Sequence, residues 1–276
     1  MPRIRLVLAA CALAAAPAAA QARYLPQPDT LYYESLNPYH MYVVRGRDTL
    51  MDPVIEFEVQ RQAWRAYGEG LEAEVHSQAV DGRGTPTRHL LQVTPRGVVA
   101  AFDGRTDHPR ADWDQVLRLP PDGDLRPGRT WADTLDRPGE EAVYQVWREL
   151  RVERVADTLG SRMAVVRGTG RVRYRDAYPY SGGEGRTWWI DVAGPVQETF
   201  LFDTSNGRMA VWEWNMDLRG SAGLPAAGSG TDTVPAGLRS RLVQRLVTPE
   251  HGRLLLRGLP AGDTTLSRSG TENGSG

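Results

Sequence analysis

Residues 185–220 read GRTWWIDVAGPVQETFLFDTSNGRMAVWEWNMDLRG, and this stretch indicates the fold class. Two clusters of turn-forming residues, at 193–195 and 204–207, separate runs that are rich in aromatic and β-branched residues. The pattern predicts three consecutive antiparallel strands, a β-meander. Four of the eight tryptophans of the chain lie in these 36 residues, so we expect an aromatic core or an aromatic-lined cavity here.

The third run of this stretch alternates between apolar and polar positions. Its apolar side chains would share one face of a strand: Ala210, Trp212, Trp214, Met216 and Leu218. Glu213 and Asn215 would lie on the opposite face, which we expect to be in water. The small Ala210 beside two large indoles is as compatible with a pocket as with a solid core.

The first 22 residues have the pattern of a secretory signal peptide. A basic start with Arg3 and Arg5 precedes a short apolar run and a small-x-small end at residues 20–22. We expect cleavage after Ala22 and export to the periplasm or the medium. The alternative is a lipoprotein anchored at Cys11, because Leu-Ala-Ala-Cys at residues 8–11 resembles a lipobox.

Composition excludes several classes of function. Cys11 is the single cysteine, so a chain cleaved after Ala22 has no thiol chemistry and no disulfide. All 33 basic residues are arginine, which excludes a Schiff-base lysine and a P-loop. The net charge of −1 argues against nucleic acid as a partner. An exported protein without disulfides is more typical of a bacterial cell envelope, so we expect the protein in that compartment.

Strand patterns recur from residue 31 onward and predict an all-β protein. We expect a large curved antiparallel sheet or half-open barrel with meander connections, forming one domain over residues 23–220. Residues 104–130 are rich in Pro, Gly and Asp, and we interpret them as an excursion over the sheet, with a boundary between two β halves as the alternative. Before the meander, the predicted strands cover residues 31–34, 40–45, 54–60, 70–78, 89–94, 98–102, 142–155, 162–167 and 170–176.

The C-terminal region has a different composition. Residues 221–233 resemble a flexible linker. Leu238, Leu242 and Leu246 recur at helical spacing, which predicts a short amphipathic helix at 235–246 within a region, 234–258, that also holds a short strand near 254–256. This helix would dock on the sheet, close one end of a cavity, or lie on an anionic membrane. Residues 259–276 are polar enough to predict a disordered tail.

The sequence contains few of the motifs that mark catalytic or metal sites. The five histidines show neither HxH nor HExxH spacing, and no GxSxG nucleophile elbow is present. Acid pairs such as Glu213 with Asp217 are ordinary on the wet face of a strand, whereas a glycosidase needs two acids across a cleft. The sequence therefore predicts a protein that is not an enzyme, with no catalytic residue, no metal site and no cofactor.

One segment, Leu-Pro-Pro-Asp-Gly-Asp-Leu-Arg-Pro-Gly-Arg-Thr-Trp at residues 119–131, adds a resemblance. Together with the signal peptide, the long strands and the closing meander, it resembles uncharacterised bacterial periplasmic proteins that share the curved, half-open sheet of the Lol-type lipoprotein carriers. The resemblance implies a sheet folded around an apolar cavity, with a helix serving as a lid.

These expectations combine into a hypothesis of function: an exported cell-envelope protein that binds a lipid or acyl chain in an aromatic-lined cavity. The residues expected at this site are Trp188, Phe200, Phe202, Trp212 and Trp214 in the lining, with Tyr178 and Tyr180 at the rim. Two alternatives remain. One is a structural or interaction module with a filled core that contacts an envelope protein or a membrane surface, and the other is a carboxylate-based envelope hydrolase.

Overall fold

Twelve strands and one short helix make up the part of the chain that the computed structural model describes, namely residues 21–25, 30–46, 48–49, 54–80, 85–106, 117–138, 143–158, 160–179, 186–226 and 230–257. The strands are β1 (Thr30–Arg45), β2 (Asp48–Thr49), β3 (Val54–Tyr67), β4 (Gly70–Ala79), β5 (Thr87–Val93), β6 (Val99–Phe102), β7 (Thr130–Pro138), β8 (Val143–Thr158), β9 (Ser161–Pro179), β10 (Thr187–Asp203), β11 (Arg208–Pro225) and β12 (Thr231–Val247). The helix α1 spans Pro249–Arg257.

Eleven of these strands form one antiparallel sheet in the order β6-β5-β4-β3-β1-β12-β11-β10-β9-β8-β7, and β2 pairs with β1 off this path. The chain moves outward from β1 to the edge at β6 and crosses to the other edge at β7. It then returns strand by strand until β12 pairs with β1. The predicted fold class, a large antiparallel sheet with meander connections and a short C-terminal helix, is confirmed.

The connection between the two edges contributes to the core. Leu117 and Leu119 are fully buried. The carbonyl oxygen of Leu119 accepts hydrogen bonds from Arg96, in the turn after β5, at 3.2 and 3.4 Å. The indole Nε1 of Trp131 on β7 donates to the carbonyl of Arg118 at 2.9 Å. The described part of the connection therefore joins the turn after β5 to the opposite edge strand.

The predicted turn at residues 193–195 is wrong, because β10 runs through it without a break. Ala193 pairs with Arg219 and Val196 with Met216 on β11, so the register is the same on both sides. Between these pairs lies Pro195, which has no N–H to donate to the ladder. A Cβ on the preceding Gly194 would lie 2.2 Å from a carbonyl oxygen of β11. The Gly-Pro pair marks a close approach of two backbones, and the meander has two long strands instead of three.

The predicted helix at 235–246 is wrong as well, because these residues belong to strand β12. Leucines four positions apart also satisfy the two-residue period of a strand, so the spacing fits either structure. Here β12 pairs with β1 on one side and β11 on the other, and the backbone pairing decides the outcome. The helix is instead α1 at Pro249–Arg257, and it includes residues 254–256, which were predicted to form a short strand. Most of the predicted linker is strand, since β11 extends to Pro225 and β12 begins at Thr231.

Gly170 on β9, like Gly194 on β10, lies where two strand backbones approach closely, and it provides a test of this packing. A Cβ there would lie 2.1 Å from the carbonyl oxygen of Trp147 and 2.7 Å from Cα of Arg148, both backbone atoms of β8. We expect Gly170→Ala to lower the free energy of unfolding by about 1–3 kcal/mol in urea titrations, because the β8 backbone must shift. Gly230→Ala is the control, since its nearest contact would be 3.7 Å away. Equal losses in the two variants would contradict the packing described.

Candidate functional site

One face of the sheet surrounds a cavity of about 540 Å³. Side chains from nine strands line it: β1, β3, β4, β5, β6, β8, β9, β11 and β12. Since these strands extend from one edge of the sheet almost to the other, the sheet curves around the space. The volume is in the range of pockets that hold small molecules.

The apolar wall of the cavity is built mainly by β11. Alternate residues Trp212, Trp214, Met216 and Leu218 line the cavity, while Glu213 and Asn215 between them are exposed. This confirms the predicted alternation of the strand. The two indoles meet edge to face, with ring centroids 5.4 Å apart. Their position on one face follows from the period of two, and it gives the cavity a broad aromatic surface.

A register shift changes the lining at the start of this wall. Leu201 pairs with Val211, but Phe202 pairs with Met209, so Ala210 is an extra residue in the ladder between β10 and β11. Met209 lines the cavity and Ala210 does not. At this end of the strand, Met209 therefore contributes to the lining in place of the predicted Ala210.

A second wall is polar and comes largely from β3, which is separated from β11 by β1 and β12 in the sheet. Five alternate residues of this strand line the cavity: four polar ones, Glu56, Glu58, Gln60 and Gln62, and then Trp64. On the other face of the same strand, Ile55 is 71% exposed and Phe57 is 37% exposed. Over residues 55–58, β3 therefore presents polar side chains to the cavity and apolar ones to the outside, the reverse of an ordinary half-buried strand.

A chain of hydrogen bonds links the aromatic wall to the acidic one. Trp214 Nε1 donates to Ser240 Oγ at 3.1 Å, and Ser240 Oγ donates to Asn37 Oδ1 at 2.8 Å. Asn37 Nδ2 in turn donates to Glu56 Oε2 at 3.3 Å. All four side chains line the cavity. The polar groups on this side are thus held in fixed orientations by their neighbours.

A second set of hydrogen bonds holds the amides of β3. Gln60 Oε1 accepts from Gln244 Nε2 of β12 at 3.2 Å and from Gln62 Nε2 at 3.3 Å. Trp64 Nε1 donates to Gln62 Oε1 at 3.3 Å. The amides and acids of the polar wall were missed by the sequence analysis. Their signal was the regular alternation of polar residues in β3, which by itself predicts a solvent-facing side.

Two tyrosines add hydroxyl groups to the lining. The hydroxyls of Tyr174 and Tyr178 on β9 are hydrogen-bonded to each other, and Tyr174 also donates to Asp176 Oδ2 at 2.9 Å. Burial raises the pKa of Tyr178 to about 12, and the charge of Asp176 adds to this effect while the hydrogen bond with Tyr174 opposes it. Burial and the neighbouring carboxylate of Glu56 also raise the pKa of Tyr39. These phenols stay protonated at neutral pH.

The other predicted site residues have different positions. Trp188 is partly buried and stacks on Tyr178, with ring centroids 4.8 Å apart, but it does not line the cavity. Phe200 and Phe202 are fully buried in the core and do not line it either. Phe200 is the cross-strand partner of Trp212 and lies beside the wall, with its ring parallel to that of Trp212 and the two centroids 6.1 Å apart. Tyr180 lies outside the described residues.

A buried ionic cluster lies beside this wall on the same face of the sheet, because Glu198 is the cross-strand partner of Trp214. Arg148 Nη1 donates to both carboxylate oxygens of Glu198 at 2.9 Å, and Arg148 Nε and Nη2 donate to Asp133 Oδ2 at 2.9 and 2.7 Å. The guanidinium also lies 5.6 Å from the centre of the Phe200 ring. Burial disfavours the charge, but the two carboxylates outweigh it and hold the pKa of Arg148 above its usual value.

Helix α1 does not cover the cavity. It packs against β1 and β3, and the backbone at Gly252 lies against the ring of Tyr32. Tyr32 is on the opposite face of β1 from Tyr33 and Ser35, which line the cavity. The helix is therefore on the outer face of the sheet, which corrects the expectation that a helix serves as a lid.

Among residues 21–257, as far as they are described, no group of three or more His, Cys, Asp or Glu side chains is arranged to hold a metal ion. No helix in the described part is long and apolar enough to span a membrane. A scan against protein-family models found no match, and a search of curated proteins found no significant match.

Proposed function

We propose that this protein is an exported cell-envelope protein that binds an amphiphilic ligand, such as a lipid or another molecule with an acyl chain, in the cavity of its curved sheet. The observation that carries the proposal is a cavity of about 540 Å³ in which an aromatic and aliphatic wall is joined to a polar one. An apolar tail on the first wall would remove apolar surface from water, which contributes about 25 cal/mol per Å². The second wall supplies polar groups for a head group.

The proposed activity is binding without catalysis. The two acids of the lining, Glu56 and Glu58, are two residues apart on the same strand and belong to the same wall. A hydrolase that uses two carboxylates needs them on opposite sides of the bond to be cleaved. This arrangement supports a binding site in preference to the envelope hydrolase.

Trp214→Ala tests the proposal. We expect the affinity for dodecyl maltoside, a neutral probe used below its micelle concentration, to fall at least tenfold, which corresponds to about 1.4 kcal/mol. The variant loses an indole of the apolar wall and the hydrogen bond to Ser240. Asn215→Ala is the matched control, because Asn215 is exposed on the other face of β11. Titration calorimetry measures both, and equal losses of affinity would contradict the site assignment.

The second candidate, a protein-interaction module, has its own supporting observation. Leu36 and Phe57 are both exposed and are cross-strand partners on the outer face of the sheet, and Ile55 lies two residues from Phe57 on the same face. Exposed apolar patches often mark contact surfaces. If no amphiphile binds the intact protein, this outer patch becomes the leading candidate site.

A further inference from the structure

The orientation of the amide groups in the polar wall is fixed by an indole. Trp64 Nε1 can only donate a hydrogen bond, so the Gln62 atom that it meets at 3.3 Å is the oxygen Oε1. Gln62 Nε2 then donates to Gln60 Oε1 at 3.3 Å, and Gln60 Oε1 also accepts from Gln244 Nε2 at 3.2 Å. Each of the three amides therefore has an assigned donor end and an assigned acceptor end.

These bonds use one end of Gln60 and of Gln244 and leave the other end available. Within the part of the chain that the structure describes, Gln60 Nε2 donates no hydrogen bond and Gln244 Oε1 accepts none. The Ser35 hydroxyl, which can both donate and accept, makes none there either. All three side chains line the cavity, although Ser35 and Gln244 are only 6% and 9% exposed. Because buried polar groups are normally hydrogen-bonded, we expect the contents of the cavity to supply both an acceptor and a donor here.

The available polar groups lie next to the apolar wall. Gln244 on β12 is the cross-strand partner of Trp212 on one side and of Ser35 on the other. Directly opposed residues on one face of an antiparallel pair have Cβ atoms about 4.5–5.5 Å apart. A molecule with its tail on Trp212 therefore has its head group within reach of Gln244 and Ser35.

An aromatic ring borders the amides on the other side. Trp64 lines the cavity and is held at its Nε1 by Gln62. Its flat apolar face suits the C–H groups of a sugar ring, whose hydroxyls both donate and accept hydrogen bonds. A polyether head group, which mainly accepts, would leave Gln244 Oε1 without a donor. A primary ammonium group, which only donates, would leave Gln60 Nε2 without an acceptor.

We infer that the ligand is an amphiphile with a polyhydroxylated, sugar-type head group. The hydroxyls of the head group bind Gln60, Gln244 and Ser35, its ring packs near Trp64, and the tail lies along the apolar wall of β11. This inference rests on the proposed function and specifies its ligand class. The recognition depends on the match of hydrogen-bond donors and acceptors, so it predicts a preference between two head groups that are both uncharged.

Two uncharged probes with the same dodecyl tail test the inference: dodecyl maltoside, and octaethylene glycol monododecyl ether, whose head group has ether oxygens and a single hydroxyl. Both are used below their micelle concentrations. Titration calorimetry on the intact protein should give at least tenfold tighter binding of the maltoside, because the tails bury the same apolar surface and only the sugar completes the hydrogen bonds. Circular dichroism in parallel shows that the protein remains folded with each probe.

Variants assign the preference to the amides. Gln60→Met and Gln244→Met, made separately, each replace an amide by an apolar side chain of similar length. Each should weaken maltoside binding about fivefold or more, while the affinity for the ether changes by less than about twofold. Gln197→Met is the matched control and should keep the full preference, because Gln197 is exposed on the outer face of β10. Urea unfolding shows that a variant is folded, and either variant alone suffices for the test. A sugar preference that survives removal of these amides would overturn the assignment.

The remaining outcomes distinguish the two levels of the proposal. Equal affinities for the two probes, or tighter binding of the ether, would overturn the head-group inference while leaving the proposed function in place. Failure of both probes to bind would overturn the proposed function and the inference with it. Maltose without a tail, if it bound as tightly as dodecyl maltoside, would also overturn the proposed function, because the tail would then contribute nothing to binding.

Discussion

Replacing Arg148 by methionine should lower the free energy of unfolding by about 3–5 kcal/mol, because the substitution leaves the buried Glu198 without its cation and leaves Asp133 with Arg118 alone, at 3.2 Å. Arg148 is 4% exposed in its side chain, and Asp133 and Glu198 are similarly buried. Uncompensated buried charge is among the most destabilising changes that a single substitution produces. Urea unfolding followed by circular dichroism measures the loss.

A surface ion pair supplies the control. Arg173 donates to Asp191 with two hydrogen bonds of 2.8 and 3.1 Å, but the two side chains are 45% and 28% exposed. Arg173→Met should therefore lower the free energy of unfolding by only about 0–1 kcal/mol. Adding Glu198→Gln to Arg148→Met should restore part of the stability, because the carboxylate that lost its cation is then neutral. Equal losses from Arg148→Met and Arg173→Met would mean that the buried cluster is not a source of stability.

Phe202→Ala should lower the free energy of unfolding by a similar amount, about 3–5 kcal/mol, for a different reason. The Phe202 ring is completely buried and meets the ring of Tyr24 edge to face, with centroids 5.1 Å apart. Tyr24 is itself fixed by a hydrogen bond from its hydroxyl to the carbonyl of Leu117 at 3.0 Å. Truncation would open a cavity at the point where β10, the N-terminal segment and the edge-to-edge connection meet.

Phe57→Ala is the matched control, because Phe57 is partly exposed on the outer face and its truncation should change the free energy of unfolding by less than about 1 kcal/mol. Thermal or urea unfolding compares the two. Since Phe202 does not line the cavity, ligand binding by the folded fraction of Phe202→Ala should remain near that of the unsubstituted protein. A loss of affinity as large as that of Trp214→Ala would show that the ring behaves as part of the site.

The fold class could be predicted because period-two alternation is strong where one face of a strand is buried, as in β11. The errors arose where two structures share one sequence signal. Gly194 and Pro195 are turn-forming residues, but Gly-Pro also suits a point where strands crowd and one N–H is not needed. Leu238 and Leu242 fit a helix and a strand equally, and only the backbone pairing of β12 with β11 and with the distant β1 separates the two.

Other features were hidden because a polar residue was assumed to face water. β7 was not predicted, since Asp133 interrupts the apolar alternation of Trp131 and Leu135, yet Asp133 is buried against Arg148. The polar wall of the cavity escaped detection for the same reason at Glu56 and Glu58. Sequence patterns indicate which residues share a face, whereas tertiary structure determines what that face contacts.

The pairing of β1 with β12 has a consequence for how the chain folds. Tyr32 lies opposite Val247, so the central ladder of the sheet joins residues from nearly the two ends of the described chain. Contacts between residues so far apart in sequence form slowly, because a long loop must close before they contribute any stability. Until β12 inserts, β1 and β11 each have an unpaired edge that another chain could join. The centre of the finished sheet is therefore the part that depends on the last described strand, and a chain that stops before residue 231 would leave two long edges open.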